Sequence, residues 1–262
     1  MIRTALGKSI NVILRAFDLR LVRDSSYKTL VERSTLQNDL ALLALTPPEH
    51  LAAALEVLRT TTSQLRQELF VLATLGFKRD GFFVEFGATD GVTLSNTNLL
   101  EKCYGWRGIL AEPARRWHAA LRRNRHCDIH TQCVWSDSNA RVTFRETGVA
   151  EFSTIAGYSD RDMHRAERRN GETYVVQTIS LLDLLRRYHA PRVIDYLSID
   201  TEGSEFDILR NFDFTTYQFR VITCEHNFTS TREKIHQLLA KNGYVRKYEE
   251  LSSFDDWYVM AV

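Results

Sequence analysis

Apolar residues follow two rhythms along this chain. From Phe82 onward, short β-type runs at Phe82–Phe86, Arg107–Ala111, Ile129–Trp135, Val142–Phe144, Val193–Ile199 and Phe219–Cys224 alternate with other segments. Those segments, around Asn96–Lys102 and over Leu181–Tyr188, Glu205–Leu209 and Arg232–Lys241, have helical spacing. Continuous apolar strands separated by helices predict a parallel sheet covered on both faces. Ser136-Asp137-Ser138-Asn139 reads as a tight turn between two strands, and Gly243 ends the last helix. Tyr244–Tyr248 and Trp257–Ala261 then predict a hairpin. The expectation is an α/β fold with a seven-stranded, mostly parallel, Rossmann-like sheet and a terminal antiparallel hairpin.

Ahead of the first strand the rhythm is helical. Ile2, Leu6, Ile10, Ile13, Leu14, Phe17 and Leu21 recur at helical spacing, with Arg3, Lys8, Arg15, Arg20 and Arg23 adding positive charge. Packing of this helix on the domain or in a homo-oligomer is the preferred reading; peripheral contact of residues 1–23 with an anionic membrane is the alternative. Pro47-Pro48 breaks the pattern before helices over Leu51–Leu58 and Gln64–Leu75, and Gly76 closes the last of these. Gln64 and Gln67 read as exposed helix residues, with a lid facing a ligand as the alternative. Residues 1–76 are therefore taken as a helical extension and 77–262 as the main domain. No run approaches the ~18 apolar residues that span a bilayer, and Met1–Ile10 lacks the apolar core of a signal peptide.

Composition narrows the class. The 262 residues are 44% hydrophobic and 26% charged, enough for one substantial core, and a formal net charge of +1 gives no global attraction to nucleic acid. Cys103, Cys127, Cys133 and Cys224 form no C-x-x-C pair, so free thiols and a cytoplasmic location are expected. Arg161, Arg165, Arg168 and Arg169 in the charged stretch Ser159–Glu172 read as a solvated face, or as a loop that recognises an anionic acceptor.

Candidate chemistry gathers at the strand ends, where open parallel sheets bind ligands. Those ends carry Glu85, Glu112, Asp137, Asp200 and Glu225-His226. Carboxylates gathered on one edge repel and raise one another's pKa, and a cationic ligand offsets that repulsion. The first turn, FFVEFGATDG, has the spacing E-x-G-x-x-x-G: Thr89 stands where the dinucleotide fingerprint needs a glycine, and no lysine follows to hold a phosphate. Gly87 and Gly91 allow a sharp turn close to a ligand, and Glu85 could accept from an ammonium group. Glu112, at the tip of the next strand, could hold a ribose diol. Asp137 could accept an adenine amine or simply cap its turn.

FFVEFGATDGVTLSNTNLLEKCYGWRGILAEP, with VWSDSNA and YLSIDTEGSEFDIL downstream, resembles the FkbM family of S-adenosylmethionine-dependent methyltransferases from about Ser63 to the C-terminus. The resemblance implies a class I methyltransferase fold and methyl transfer from S-adenosylmethionine to a hydroxyl of a sugar, glycan or related small molecule. Residue by residue, it assigns Glu85, Gly87, Asp90 and Gly91 to the methionine-binding loop, Glu112 to the ribose, and Ser136-Asp137 to the adenine region. Asp200, Glu202 and Gly203 match the family's D-x-E-G segment. Glu85 and Thr89-Asp90 depart from the Asp and Asn-containing turns of many members, and Thr89 is placed with the cofactor residues.

Methylating an alcohol requires a base for its proton. His226 is the leading candidate, since an imidazole titrates near neutrality, with Asp200 second and Glu225 beside them. Adjacent residues on an extended strand face opposite ways, so Glu225 and His226 both reach the substrate only if the strand has ended. Asp200, Glu202, Glu225 and His226 are also ligand types for a divalent ion, but spacing does not show that they converge, and no metal is predicted. Two other classes compete: an NAD-dependent oxidoreductase on the same sheet, and a non-catalytic interaction protein.

Overall fold

The structure is a computed structural model that describes residues 24–147, 153–158 and 171–261. The basic amphipathic segment 1–23 and most of the arginine-rich stretch, residues 159–170, lie outside the described residues. The chain divides into two compact units, Met1–Leu45 and Thr46–Val262. The described residues of the first contain one helix, α1 (Asp24–Ala44), with an i,i+4 ion pair between Lys28 and Asp24 at 3.0 Å.

The second unit is built on a seven-stranded sheet. Its strands are β1 (Phe82–Phe86), β2 (Arg107–Ala111), β3 (Asp128–His130), β8 (Val193–Ile199), β9 (Gln218–Glu225), β10 (Tyr244–Lys247) and β11 (Asp255–Met260), in the spatial order β10-β11-β9-β8-β1-β2-β3. Read from the β3 edge and counted in chain order among themselves, they run third, second, first, fourth, fifth, seventh, sixth. β11 is antiparallel to β9 and β10, and the other pairs are parallel. This is the class I methyltransferase fold, with the order reversing at β1, where a crevice opens beyond the strand ends.

Burial explains the apolar runs. All five residues of β1 are buried, and Val84, Ile109, Leu197 and Ile222 form one core with Leu184 and Leu185 of α6 (Leu181–Arg187), Leu209 of α7 (Glu205–Arg210) and Ile235 and Leu239 of α8 (Arg232–Lys241). Ser180 caps α6 by accepting from the Asp183 amide. On the other face Phe70 stacks on Trp257 with ring centroids 4.7 Å apart. Phe70 belongs to α3 (Gln67–Thr74), which follows α2 (Leu51–Thr60) and precedes the sheet. The buried carboxylate of Glu68 ties α3 to α4 (Asn98–Tyr104) by accepting from the Leu99 amide at 2.7 Å. Both α2 and α3, grouped by sequence with the N-terminal extension, thus lie in the same compact unit as the sheet.

Three expectations shift. The run Ile129–Trp135 is two strands, because β3 pairs with β2 whereas β4 (Cys133–Trp135) pairs with β7 (Glu172–Ser180) in a second, four-stranded sheet completed by β5 (Arg141–Glu146) and β6 (Thr154–Ile155). The polar pair Thr131-Gln132 marks the break, and Gln132 donates to Gln177 on β7 at 2.8 Å. The helix expected from Gln64 starts at Gln67, since Arg66 adopts φ 65°. The last strand begins at Asp255 rather than Trp257.

Candidate functional site

A single row of residues lies just beyond the paired strand ends. Phe86 pairs with Ala111 on β2 and with Ile199 on β8, and Ile199 pairs with Cys224 on β9. The next residues are Glu112, Gly87, Asp200 and Glu225, side by side, and Asp255 of β11 is the direct antiparallel partner of Glu225. Every position in this row is a carboxylate except Gly87. A cavity of about 320 Å³ opens on it, with Glu85 and Glu202 also in its wall.

Gly87 is required by the geometry of the switch point. Its φ is +77°, and a Cβ there would lie 2.1 Å from the Asp200 carbonyl oxygen. The missing side chain lets the Asp200 backbone pass directly against the end of β1. Glu112 is buried; its two oxygens accept from the amides of Thr89 at 2.8 Å and Ala114 at 2.7 Å. Burial outweighs these bonds and pushes its pKa up to about 7.

The loop after β1 is held from beneath. Glu85 accepts from the Asn96 amide at 2.7 Å, the Ser95 hydroxyl at 3.0 Å and the Thr97 hydroxyl at 2.5 Å. Arg125, at the end of α5 (His118–Asn124), is buried beside it, with Nη1 3.8 Å from Glu85 and Nε 2.7 Å from Glu101. The same guanidinium donates to the Gly91 carbonyl and to Ser95 and Thr97. Gly91 has φ +80°, and a Cβ there would meet Arg125 Cγ at 2.6 Å. Asp90 folds the turn, accepting from the amides of Val92 at 2.8 Å and Thr93 at 2.7 Å. Thr89 lines the cavity, whereas Asp90 and Gly91 shape the loop behind it.

Beside Gly87 the carboxyl groups of Asp200 and Glu225 lie within hydrogen-bonding reach; burial raises both pKa values, the hydrogen bond with Glu225 partly offsets the rise at Asp200, and the Asp200 charge adds to the rise at Glu225. With Glu202 they form one group whose ligand oxygens all lie within 4.8 Å of one another. Asp255 is buried too; its carboxyl is pushed up to about 7 by burial, against the hydrogen bond it accepts from Gln67 at 2.8 Å.

A family described as the methyltransferase FkbM domain matches residues 85–247, which hold the row from Gly87 to Glu225. The chain belongs to this family. Among solved structures it is similar to an FkbM methyltransferase from Methylobacillus flagellatus KT, at 11% identity and TM-score 0.43, over 86% of this chain and 58% of that one. It is also similar to an O-methyltransferase from Bacillus cereus in complex with SAH, at 13% identity and TM-score 0.40, over 99% of this chain and 98% of that one. A third is the precorrin-6y C5,15-methyltransferase of Geobacter metallireducens GS-15, at 13% identity and TM-score 0.39, covering 76% of this chain and 88% of that one. No curated protein matches the chain significantly.

In this FkbM chain the cavity gathers Glu85, Gly87, Thr89, Glu112, Asp200, Glu202 and Glu225, but not every residue expected there. Asp137 is exposed and accepts from the Ser136 hydroxyl; neither lines the cavity, because the turn lies past the end of β4. Cys133 and Val134, inside β4, form that wall instead. His226 lies outside the cavity as well. β9 ends at Glu225, which lines the cavity, but the chain stays paired for one more residue, the His226 amide donating to the Phe254 carbonyl at 2.9 Å, so alternation still sends the His226 side chain the other way. The imidazole Nδ1 accepts from the Phe228 amide at 3.0 Å, Nε2 lies 3.8 Å from Asp256, and burial lowers its pKa. Conversely, Gln67 is buried and in the cavity wall, with Gln64 at the wall's exposed part, contrary to the reading of both as plain surface residues. The sequence reading also missed Asn96, Ser198 and Asp255. Asp255 was findable, because an antiparallel last strand brings its first residue to the edge where parallel strands end.

Among the described residues no helix is long and apolar enough to cross a membrane. The four cysteines are free; Cys133 and Cys224 are buried and Cys103 is exposed.

Proposed function

We propose that this FkbM chain transfers a methyl group from S-adenosylmethionine to a hydroxyl of a sugar, glycan or related small metabolite. The row Glu112, Gly87, Asp200, Glu225, Asp255 carries the reading. A cavity edged by carboxylates repels the pyrophosphate of a dinucleotide and attracts a ligand with a sulfonium and an ammonium group. The donor set fits such a ligand. Each Glu112 oxygen keeps a second lone pair for a ribose hydroxyl, and Cys133, Val134 and Phe144 offer an apolar wall for a base. Bound there, the cofactor supplies a methyl carbon activated by its sulfonium.

The chain's own work is to align the acceptor and take its proton. In-line displacement depends mainly on alignment, and Leu94, Phe254 and Ile155 add apolar surface to the cavity wall against which an acceptor can be held. Asp200, whose carboxyl burial pushes up to about 7, is poised to receive a proton near neutrality, as a general base must, with Glu225 beside it. Titration calorimetry with S-adenosylmethionine, S-adenosylhomocysteine and NAD tests the cofactor: saturable binding of NAD alone overturns the proposal. The acceptor is found by screening hydroxylated candidates with mass spectrometry for a gain of about 14 daltons.

A further inference from the structure

Asn96 sits in the cavity wall with both of its nitrogens engaged and its oxygen unused. Its backbone amide donates to Glu85 at 2.7 Å and its side-chain Nδ2 donates to the Ser198 hydroxyl at 3.0 Å, so loop and side chain are fixed at two points. Asn96 is only 9% exposed, yet Oδ1 has no hydrogen-bond partner. A buried carbonyl without a donor costs free energy, and an orphan of this kind in a ligand cavity calls for a donor from the ligand.

We infer that Asn96 Oδ1, not the Glu85 carboxylate, directly accepts a hydrogen bond from the ammonium of the cofactor's amino-acid tail. Glu85 then acts as a positioning residue. Its oxygens already serve Ser95, Asn96 and Thr97, and its charge is paired with Arg125. An ammonium carries three donors and no acceptor, which matches a lone carbonyl in a wall rich in carboxylates. The inference rests on the S-adenosylmethionine reading above and assigns one end of that ligand to one side chain.

The test compares ligands that differ in the tail. S-adenosylhomocysteine has the amino-acid tail, 5′-methylthioadenosine lacks it, and both are neutral at sulfur. Calorimetry on the full chain should show Asn96→Ala weakening S-adenosylhomocysteine by about tenfold or more, the scale of one lost hydrogen bond to a charged group. Binding of methylthioadenosine should stay within about twofold. Equal weakening of both ligands, or of neither, overturns the assignment while leaving the cofactor reading intact. Failure of the wild-type protein to bind S-adenosylhomocysteine or S-adenosylmethionine overturns both. If Asn96→Ala does not fold, Asn96→Ser keeps a hydroxyl near Ser198 without a carbonyl, and the same ratio decides.

Discussion

Gly87 and Asp200 approach so closely that any side chain at position 87 would drive into the Asp200 backbone, with a Cβ 2.1 Å from its carbonyl oxygen. The contact is backbone, not a flexible side-chain tip, so neither strand end can yield without shifting the acidic row. Gly87→Ala should therefore destabilise the protein by about 2–4 kcal/mol through overpacking and a disfavoured positive φ. It should also abolish measurable cofactor binding. Thermal melting and calorimetry check the two effects, and a variant with wild-type melting would show that the contact between the two strand ends yields.

Arg125 is the second constraint on the loop. Its guanidinium is fully buried, paired with Glu101 at 2.7 Å, and donates to three loop residues. Removing one partner of a buried ion pair leaves the other unpaired, which costs about 3–5 kcal/mol. Arg125→Ala should lose that much in urea unfolding. Arg125→Lys should recover only part, because an ammonium cannot reproduce the fork that reaches Gly91, Ser95 and Thr97 together.

The proton path can be tested by contrast. Asp200→Asn should cut turnover by about 10²- to 10⁴-fold, the usual contribution of a positioned base, with cofactor affinity held within severalfold. His226→Ala should retain turnover within severalfold, since the ring turns toward Asp256 and away from the cavity. Single-turnover assays of both variants decide the matter; a dead His226→Ala that still binds cofactor would restore histidine as the base.

A divalent ion and a shared proton are competing ways to relieve the repulsion among Asp200, Glu202 and Glu225. With the proton in that role, dialysis against a chelator should leave turnover unchanged. A loss that magnesium restores would make the three carboxylates a metal site.

Much of this site could be read from sequence because the parallel strands announce their own ends. Glu85, Glu112, Asp200 and Glu225 each follow an apolar run, and the register places the last three in one line with Gly87. What escaped depends on tertiary placement. Gln67 lies on a helix whose pattern gives no sign that its polar face meets β11, where it donates to Asp255. His226 looked poised because it adjoins Glu225, yet one step along the chain reverses the side chain's direction. Ser136 and Asp137 were assigned by motif, but the tight turn carries them past the cavity while β4 itself forms the wall. The surroundings of Glu85 were hidden for a related reason: sequence marks an acid at a strand end without showing that Ser95, Asn96 and Thr97 donate to it.

Asp255 allows the electrostatic argument to be tested without chemistry. Its folded pKa is raised from 3.8 to about 7, with burial as the largest cause and Asp200 and Asp256 adding to it. A carboxyl raised in this way binds more protons folded than unfolded, so its contribution to stability is fully present below the unfolded value and is lost as pH rises through about 7. Asp255→Asn removes the titration but keeps an oxygen to accept from Gln67. The variant should match wild type near and below pH 3.8, gain on it as pH rises from there, and be more stable by on the order of 3–4 kcal/mol once pH passes about 7, with melting temperatures showing the divergence. Cofactor binding should move the opposite way, because the ionised carboxyl helps draw in a cation: above about pH 7 the same substitution should weaken S-adenosylmethionine. Identical pH profiles for the two proteins would mean that Asp255 is charged in the folded state throughout, and that the row does not store protons in the absence of ligand.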